Sequence, residues 1–244
     1  MAAAPDSTTG ADTARTPRPD RPRTALVAGA TGLIGRALLQ LLHASPHYGH
    51  VNVLVRRAAP DIAGVRADAR SSWHTVDFAH LPEPLPAADD VYIALGTTIK
   101  VAGSNAGFRQ VDFDFVVNTA RAARAAGATR LAVVSALGAN AASRVFYNRV
   151  KGEMQDSVAQ LGFEAVVIAQ PSLLIGDRAA LGQPTRAGEV WATRLLAPVM
   201  WMVPRGVRPI QARTVAAAML TATLAGVPGV RVLSSAQMQS GTAR

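Results

Sequence analysis

The chain has 244 residues, 49% of them apolar and 17% charged, which is enough to bury a substantial core and argues against overall disorder. It contains no cysteine, so disulfides, thiolate catalysis and cysteine-based metal sites are excluded. The net charge of +9 comes from scattered arginines with few aromatic residues and no nucleic-acid-binding motif, so it points to anionic small ligands and to no nucleic-acid partner.

Residues 1–23 are rich in Ala, Thr, Pro, Asp and Arg without hydrophobic period, and they read as a disordered tail. Asp6, Asp12 and Asp20 weigh against a mitochondrial transit peptide, and no apolar signal core or membrane-length run follows. A cytoplasmic location with no membrane partner is the expectation.

One domain is expected over residues 24–234. Thr24 to Ala28 is an apolar run ended by glycine and reads as a buried parallel strand. Helical spacing follows from Leu33 to Leu42. His43, His47 and His50 lie close together, but no carboxylate sits at ligand spacing, so they read as a helix end and loop, with no metal. Val51 to Val55 is a second strand, and Ser72 to Val76 a third. Val91 to Leu95 is a fourth, Leu131 to Ser135 a fifth, and Ala165 to Ala169 a sixth, stopped by Pro171. Helices are predicted over Phe108–Ala126, closed by Gly127, and over Ser143–Leu161, closed by Gly162. Past Pro171 the pattern loosens. A polar loop is predicted over Arg178–Gly188 and apolar helical sequence over Trp191–Val203. A helix over Thr214–Leu224, a last strand over Val230–Leu233 and a frayed tail over 235–244 complete the chain. Alternation of apolar strands with helices indicates an α/β, doubly wound parallel Rossmann sheet with helices on both faces. A small C-terminal lid is expected at about residues 172–210.

Gly29-Ala-Thr-Gly32-Leu-Ile-Gly35 joins the first strand to the first helix. The first glycine permits the tight turn, the second admits a pyrophosphate close to the backbone, and the third lets helix and strand approach. The helix N-terminus then offers free amides to the phosphates, and Thr31, Leu33 and Ile34 join the candidate cofactor-binding set. At the end of the second strand, where NAD sites usually carry an acid, stand Arg56 and Arg57. Two guanidiniums suit a 2′-phosphate, so NADP(H) is favoured and NAD(H) ranks behind it. Asp77 reads either as a contact to the adenine edge or as a turn former. Leu95, Gly96 and Thr97 end the fourth strand at the ligand-facing edge of the sheet, beside the expected path of the cofactor ribose.

Tyr147 and Lys151 are four apart on a predicted helix and so share a face. Ser135 ends the preceding strand. A carbonyl that receives hydride needs a proton; a neighbouring ammonium stabilises a phenolate, and a hydroxyl orients the substrate oxygen. Ser135, Tyr147 and Lys151 are therefore the candidate catalytic residues, with Tyr147 and Lys151 also reaching the nicotinamide ribose.

With these residues in hand, the sequence resembles the extended or atypical short-chain dehydrogenase/reductases. Among them it is most similar to the Tat-interacting, tumour-suppressor-type oxidoreductases and their bacterial relatives. The resemblance runs from Thr24 to about Leu224. It is carried by the glycine loop, Ala94 to Thr98 with Lys100, Ala102 and Gly103, Val111-Asp112, Ser135 to Ala139, Tyr147 to Glu153, and Pro171 to Arg178. It implies an NADP(H)-bound Rossmann domain with Ser135, Tyr147 and Lys151 in catalytic positions. It also implies that the segment after Pro171 closes over the nicotinamide, adding Pro171, Ser172, Leu173 and Leu174 to the cofactor set. Leu95-Gly-Thr-Thr98 replaces the Asn-Ala-Gly of shorter relatives, so an asparagine-based proton relay is not implied.

The leading expectation is an NADP(H)-dependent oxidoreductase of a small carbonyl or alcohol. A non-catalytic NADPH-binding redox sensor or regulator comes second. A sugar-nucleotide epimerase or dehydratase comes third, disfavoured by the short segment after Pro171. A small molecule is the expected substrate, and monomer and homodimer both stay open.

Overall fold

The computed structural model describes residues 21–57, 69–175 and 206–241. Seven strands form one parallel sheet: β1 (Arg23–Ala28), β2 (Tyr48–Val55), β3 (Ser71–Thr75), β4 (Asp90–Ile93), β5 (Arg130–Val134), β6 (Ala165–Gln170) and β9 (Gly229–Ser234). Their order is β3-β2-β1-β4-β5-β6-β9, so the chain reverses direction of winding between β1 and β4. A ligand crevice opens at that switch point, beyond the carboxyl ends of the strands. β7 (Leu174–Ile175) and β8 (Ile210–Gln211) form a separate two-stranded pair.

Helices α1 (Leu33–Ala44) and α6 (Ala212–Ala225) cover one face of the sheet. Their apolar stripes, including Leu38, Leu39, Leu42, Val215 and Met219, are fully buried against Val27, Val53 and Tyr92. Each such side chain contributes roughly 1.5–3 kcal/mol on removal from water. Helices α4 (Phe115–Ala125) and α5 (Phe146–Ala159) cover the other face, burying Val116, Ala120, Met154 and Val158 against Leu26, Ile93, Leu131 and Val133. Strands apolar on both sides are the outcome of this double cover, and that is why they read as continuous apolar runs.

Two short helices, α2 (Ile99–Ala102) and α3 (Asn105–Arg109), are capped by the Thr98 and Ser104 hydroxyls. α3 runs through a π-helical turn at Gln110–Asp114 into α4. The long helix predicted over Phe108–Ala126 is thus real but interrupted. The end expected to fray instead begins with α7 (Ser235–Gln239), closed by a capping box between Ser234 and Gln237 and anchored by buried Met238. The predicted loop and helical stretch at Arg178–Gly188 and Trp191–Val203, and most of the expected lid, lie outside the described residues.

Candidate functional site

The loop between β1 and α1 is shaped by two glycines that admit no side chain. Gly29 has φ +90°, and a Cβ there would stand 2.5 Å from the Ala94 carbonyl on β4's continuation. A Cβ on Gly35 would lie 2.0 Å from the Gly29 oxygen. Gly32 differs: its Cβ would meet only the Gly29 oxygen at 3.4 Å, so this position faces open space. Gly32 is also the N-cap of α1 and supplies no side-chain acceptor, leaving first-turn amides for a ligand or water. Thr31 is exposed, Leu33 half-buried and Ile34 buried around this cradle. The cradle and its free amides fit a dinucleotide pyrophosphate.

Arg56 and Arg57 follow β2 directly and are exposed. Asp77 is exposed as well. Its carboxylate accepts from the Ala79 amide at 2.9 Å and meets His80 Nδ1 at 3.0 Å. The His80 contact first, then the amide, holds Asp77 below the usual carboxylate range. The carboxylate is thereby engaged in its own turn.

At the end of β4 the backbone crosses a buried ion pair that the sequence reading did not foresee. Lys151 Nζ lies 2.7 Å from Asp112 Oδ1, with side chains only 4% and 1% exposed. The Thr97 amide donates to the other Asp112 oxygen at 2.8 Å. A Cβ on Gly96 would come within 3.2 Å of Asp112 Oδ1 and 3.9 Å of Lys151 Nζ, so glycine lets the strand end lie on the pair. Asp112 comes from the π-helical turn, whose extra residue per turn shifts the facing of the side chains that follow. The signal for it was an acid among apolar neighbours, Val111 and Phe113, inside a helix; a buried carboxylate requires a cation.

Ser135 follows β5 and is buried. Its Oγ accepts from Gln155 Nε2 at 2.5 Å, and Gln155 Oε1 accepts from Gln170 Nε2 at 3.2 Å. Tyr147, Lys151 and Gln155 are spaced four apart along α5 and share one face. The half-buried Tyr147 ring packs 5.2 Å from the Phe108 ring, and among the described residues its hydroxyl has no hydrogen-bond partner. Ser135, Tyr147 and Lys151 therefore flank one edge of the sheet, but they do not hydrogen-bond one another. Gln155 and Asp112 hold two of them, and sequence reasoning assigned neither a role.

Pro171 is buried and its carbonyl accepts from the Leu137 amide at 2.9 Å. The Ser172 hydroxyl donates to the Arg208 carbonyl and lies 2.9 Å from Ser235 Oγ. Leu174 pairs with Ile210, and Leu173 is exposed. The chain entering and leaving residues 176–205 is thus tied together beside β6.

The sequence pattern of the NAD(P)H-binding family matches residues 29–173, from the first loop glycine to the segment after β6. The chain belongs to this NAD(P)H-binding family. Among curated proteins it is similar to "Protein FMP52, mitochondrial" of Candida albicans, 33% identical over 155 residues, covering 62% of this chain and 67% of the relative. The Aspergillus fumigatus protein of the same name is 35% identical over 188 residues, covering 74% and 76%. These relatives bear out the NAD(P)H-binding family and carry the FMP52 name; a specific likeness to Tat-interacting proteins is not shown by them. Their names overturn the cytoplasmic expectation and point to mitochondria. Acids in an N-terminal segment argue only against one class of cleaved leader, not against the destination.

Solved structures share the fold. MoeE5 in complex with UDP-glucose and NAD superposes with a TM-score of 0.63 at 15% identity, over 90% of this chain and 81% of that one. UDP-N-acetylglucosamine 4-epimerase from Methanobrevibacter ruminantium M1 gives 0.65 at 12% identity, over 87% and 76%. A family member of this kind binds NAD(P)H on a Rossmann-type sheet.

Proposed function

We propose that this protein is an NADP(H)-dependent oxidoreductase of the short-chain dehydrogenase/reductase type, acting on a small carbonyl or alcohol. The observation that carries the reading is Lys151, fixed by buried Asp112 against Gly96, with Tyr147 one turn earlier on α5 and its hydroxyl unpartnered among the described residues. NADP(H), when bound, supplies or takes up the hydride. Tyr147 delivers or accepts the proton at its hydroxyl oxygen, and the Lys151 ammonium stabilises the phenolate that results. Asp112 keeps that ammonium oriented and compensated in a site that excludes water. Ser135, whose oxygen already accepts from Gln155, keeps its own proton to donate to the substrate oxygen.

Gly29, Gly32, Gly35, Thr31, Leu33 and Ile34 hold the pyrophosphate. Leu95, Gly96 and Thr97 flank the ribose, and Pro171 to Leu174 border the nicotinamide end. Arg56 and Arg57 support NADP(H) over NAD(H). The relatives' names favour a mitochondrial setting.

A second reading, an NADPH-binding redox reporter without turnover, is favoured by one observation: Ser135 Oγ and Lys151 Nζ are already held by protein partners. One experiment decides. The wild type is supplied with NADPH and a panel of small carbonyls beside Tyr147→Phe. The oxidoreductase reading expects turnover that falls by about 10²- to 10⁴-fold in the variant, the usual contribution of a placed general acid. Tight NADPH binding with no turnover on any carbonyl overturns it in favour of the reporter.

A further inference from the structure

Among the described residues, two buried side-chain donors have no acceptor: Arg36 Nε and Trp73 Nε1. Both belong to the seam between α1 and β3. The His43 ring, late in α1, meets Ser71 Oγ at 2.6 Å, which sets that flank of the helix against the start of β3. Arg36 precedes His43 by seven residues, close to two full turns, and so lies on the same flank about 10 Å nearer the helix N-terminus. β3 runs the opposite way, from Ser71 to Thr75, and Thr75 pairs with Val55 in register. Arg36 therefore stands alongside the carboxyl ends of β2 and β3, where Arg56 and Arg57 follow Val55. Trp73 lies midway along the same strand and packs on the α1 side of the sheet.

Among the described residues no carboxylate pairs with Arg36, Arg56 or Arg57. By register and helix position the three arginines thus stand near the carboxyl end of β2, the place that reads the adenosine 2′ position in this fold. One of them has its Nε out of water and unpaired. A dianionic phosphate monoester accepts forked hydrogen bonds from such a group, and the contact is stronger where solvent is excluded than at an exposed arginine.

We infer that Arg36 is the principal selector of the cofactor's 2′-phosphate, with exposed Arg56 and Arg57 as weaker outer partners. The inference rests on the reading that the cofactor is NADP(H). It assigns selectivity to a residue of the first helix and makes the glycine loop and the specificity site one continuous stretch, Gly29 to Arg36.

The test is equilibrium binding of four probes, NADPH, NADH, adenosine 2′,5′-bisphosphate and 5′-AMP, to the wild type, Arg36→Gln and the double variant Arg56→Ala with Arg57→Ala. Arg36→Gln is expected to weaken NADPH and the bisphosphate by about 10- to 100-fold, the equivalent of a charge-assisted hydrogen-bond pair, and to leave NADH and 5′-AMP within about twofold. The double variant is expected to lose less. Equal loss on all four probes would assign Arg36 to the pyrophosphate or to folding and overturn the inference, as would an unchanged NADPH affinity or a larger loss in the double variant. Arg36→Met keeps the aliphatic stem on the helix and serves where the glutamine variant melts early without ligand. A wild type that binds NADH as tightly as NADPH sinks the cofactor reading itself. A wild type that prefers NADPH and keeps that preference in Arg36→Gln sinks only the role of Arg36.

Discussion

Substituting Asp112 by Asn removes one charge of the buried ion pair while keeping the side chain's shape. The Thr97 amide keeps an acceptor, but the Lys151 ammonium, 4% exposed and 2.7 Å away, loses its anion and faces an amide instead. An uncompensated buried charge of this kind typically costs about 3–5 kcal/mol. That is a large part of the roughly 5–15 kcal/mol by which a domain is stable. For a chain of this size it corresponds to a fall in Tm of roughly 6–20 °C, at about 2–4 °C per kcal/mol. Thermal melts followed by circular dichroism, with and without NADPH, measure it. The double variant Asp112→Leu with Lys151→Met removes both charges and is expected to recover most of the loss, because a matched apolar pair avoids the desolvation that the ion pair suffers. An Asp112→Asn Tm within about 2 °C of wild type, below the shift of 1 kcal/mol, would refute the reasoning. It would mean that water reaches the pair and that the lysine head is not fixed by the protein.

Three further outcomes follow from the same geometry. Gly35→Ala, with its Cβ 2.0 Å from the Gly29 oxygen, is expected to abolish soluble expression or lower Tm sharply, whereas Gly32→Ala leaves Tm within about 2 °C and weakens NADPH at least about tenfold; equal behaviour of the two in paired melts and titrations refutes the division between them. Gln155→Leu strips the donor from Ser135 Oγ and the acceptor from Gln170, and denaturant titration is expected to show a loss of about 1–3 kcal/mol; no measurable loss means that solvent reaches the pair. Burial first, then Tyr92 and Asp90, push the Tyr48 hydroxyl far above the ordinary phenol range, and burial and Asp90 do the same to Tyr92. A phenol kept neutral only in the native state gives stability that is full below the unfolded value of about 10 and is lost as pH rises above it. Phenolate absorbance is therefore expected to show at most one of the chain's three tyrosines before the alkaline unfolding transition. Two phenolates appearing while the circular dichroism stays native would contradict it.

The fold was legible because its strands are buried on both faces. Val27, Val91, Leu131 and Val167 sit in unbroken apolar runs and Val53 in one broken only by Asn52, and such runs separated by helical spacing leave little choice of architecture. The glycine loop was legible for a related reason: Gly29 and Gly35 meet backbone at distances no side chain survives, so the residue type is dictated locally. What escaped were features that depend on pairing across the chain. Asp112 and Lys151 are 39 residues apart, and no local pattern joins them; only the cost of burying either alone would have linked the two. Gln155 was hidden in the same way, since its role comes from Ser135, just past β5, and Gln170 at the end of β6. The helix Ser235–Gln239 was missed because its capping box, Ser234 with Gln237, is a four-residue signal without an apolar run behind it.

The two ends of the sheet differ in how their polar groups are satisfied, and the difference agrees with the proposed ligand edge. At the amino edge, fully buried Asp90 takes two hydrogen bonds from Arg23 and one from the Tyr48 hydroxyl, each at 2.6 Å, and Tyr48 meets Tyr92 at 2.7 Å. Arg21 and the Thr24 amide close on the adjacent Asp89. Each of these charges has an internal partner, which is what a structural network requires. At the carboxyl edge the same chain leaves the first-turn amides of α1 without a side-chain cap, Arg36 Nε without an acceptor and the Tyr147 hydroxyl unpartnered among the described residues. Orphaned donors are costly in a folded protein, so a group of them on one edge is retained for something that arrives with acceptors of its own. A dinucleotide, with its pyrophosphate and a polar oxygen at its far end, meets that description from Gly29 to Tyr147, and the proposed 2′-phosphate would add an acceptor for Arg36; a purely apolar ligand does not meet it.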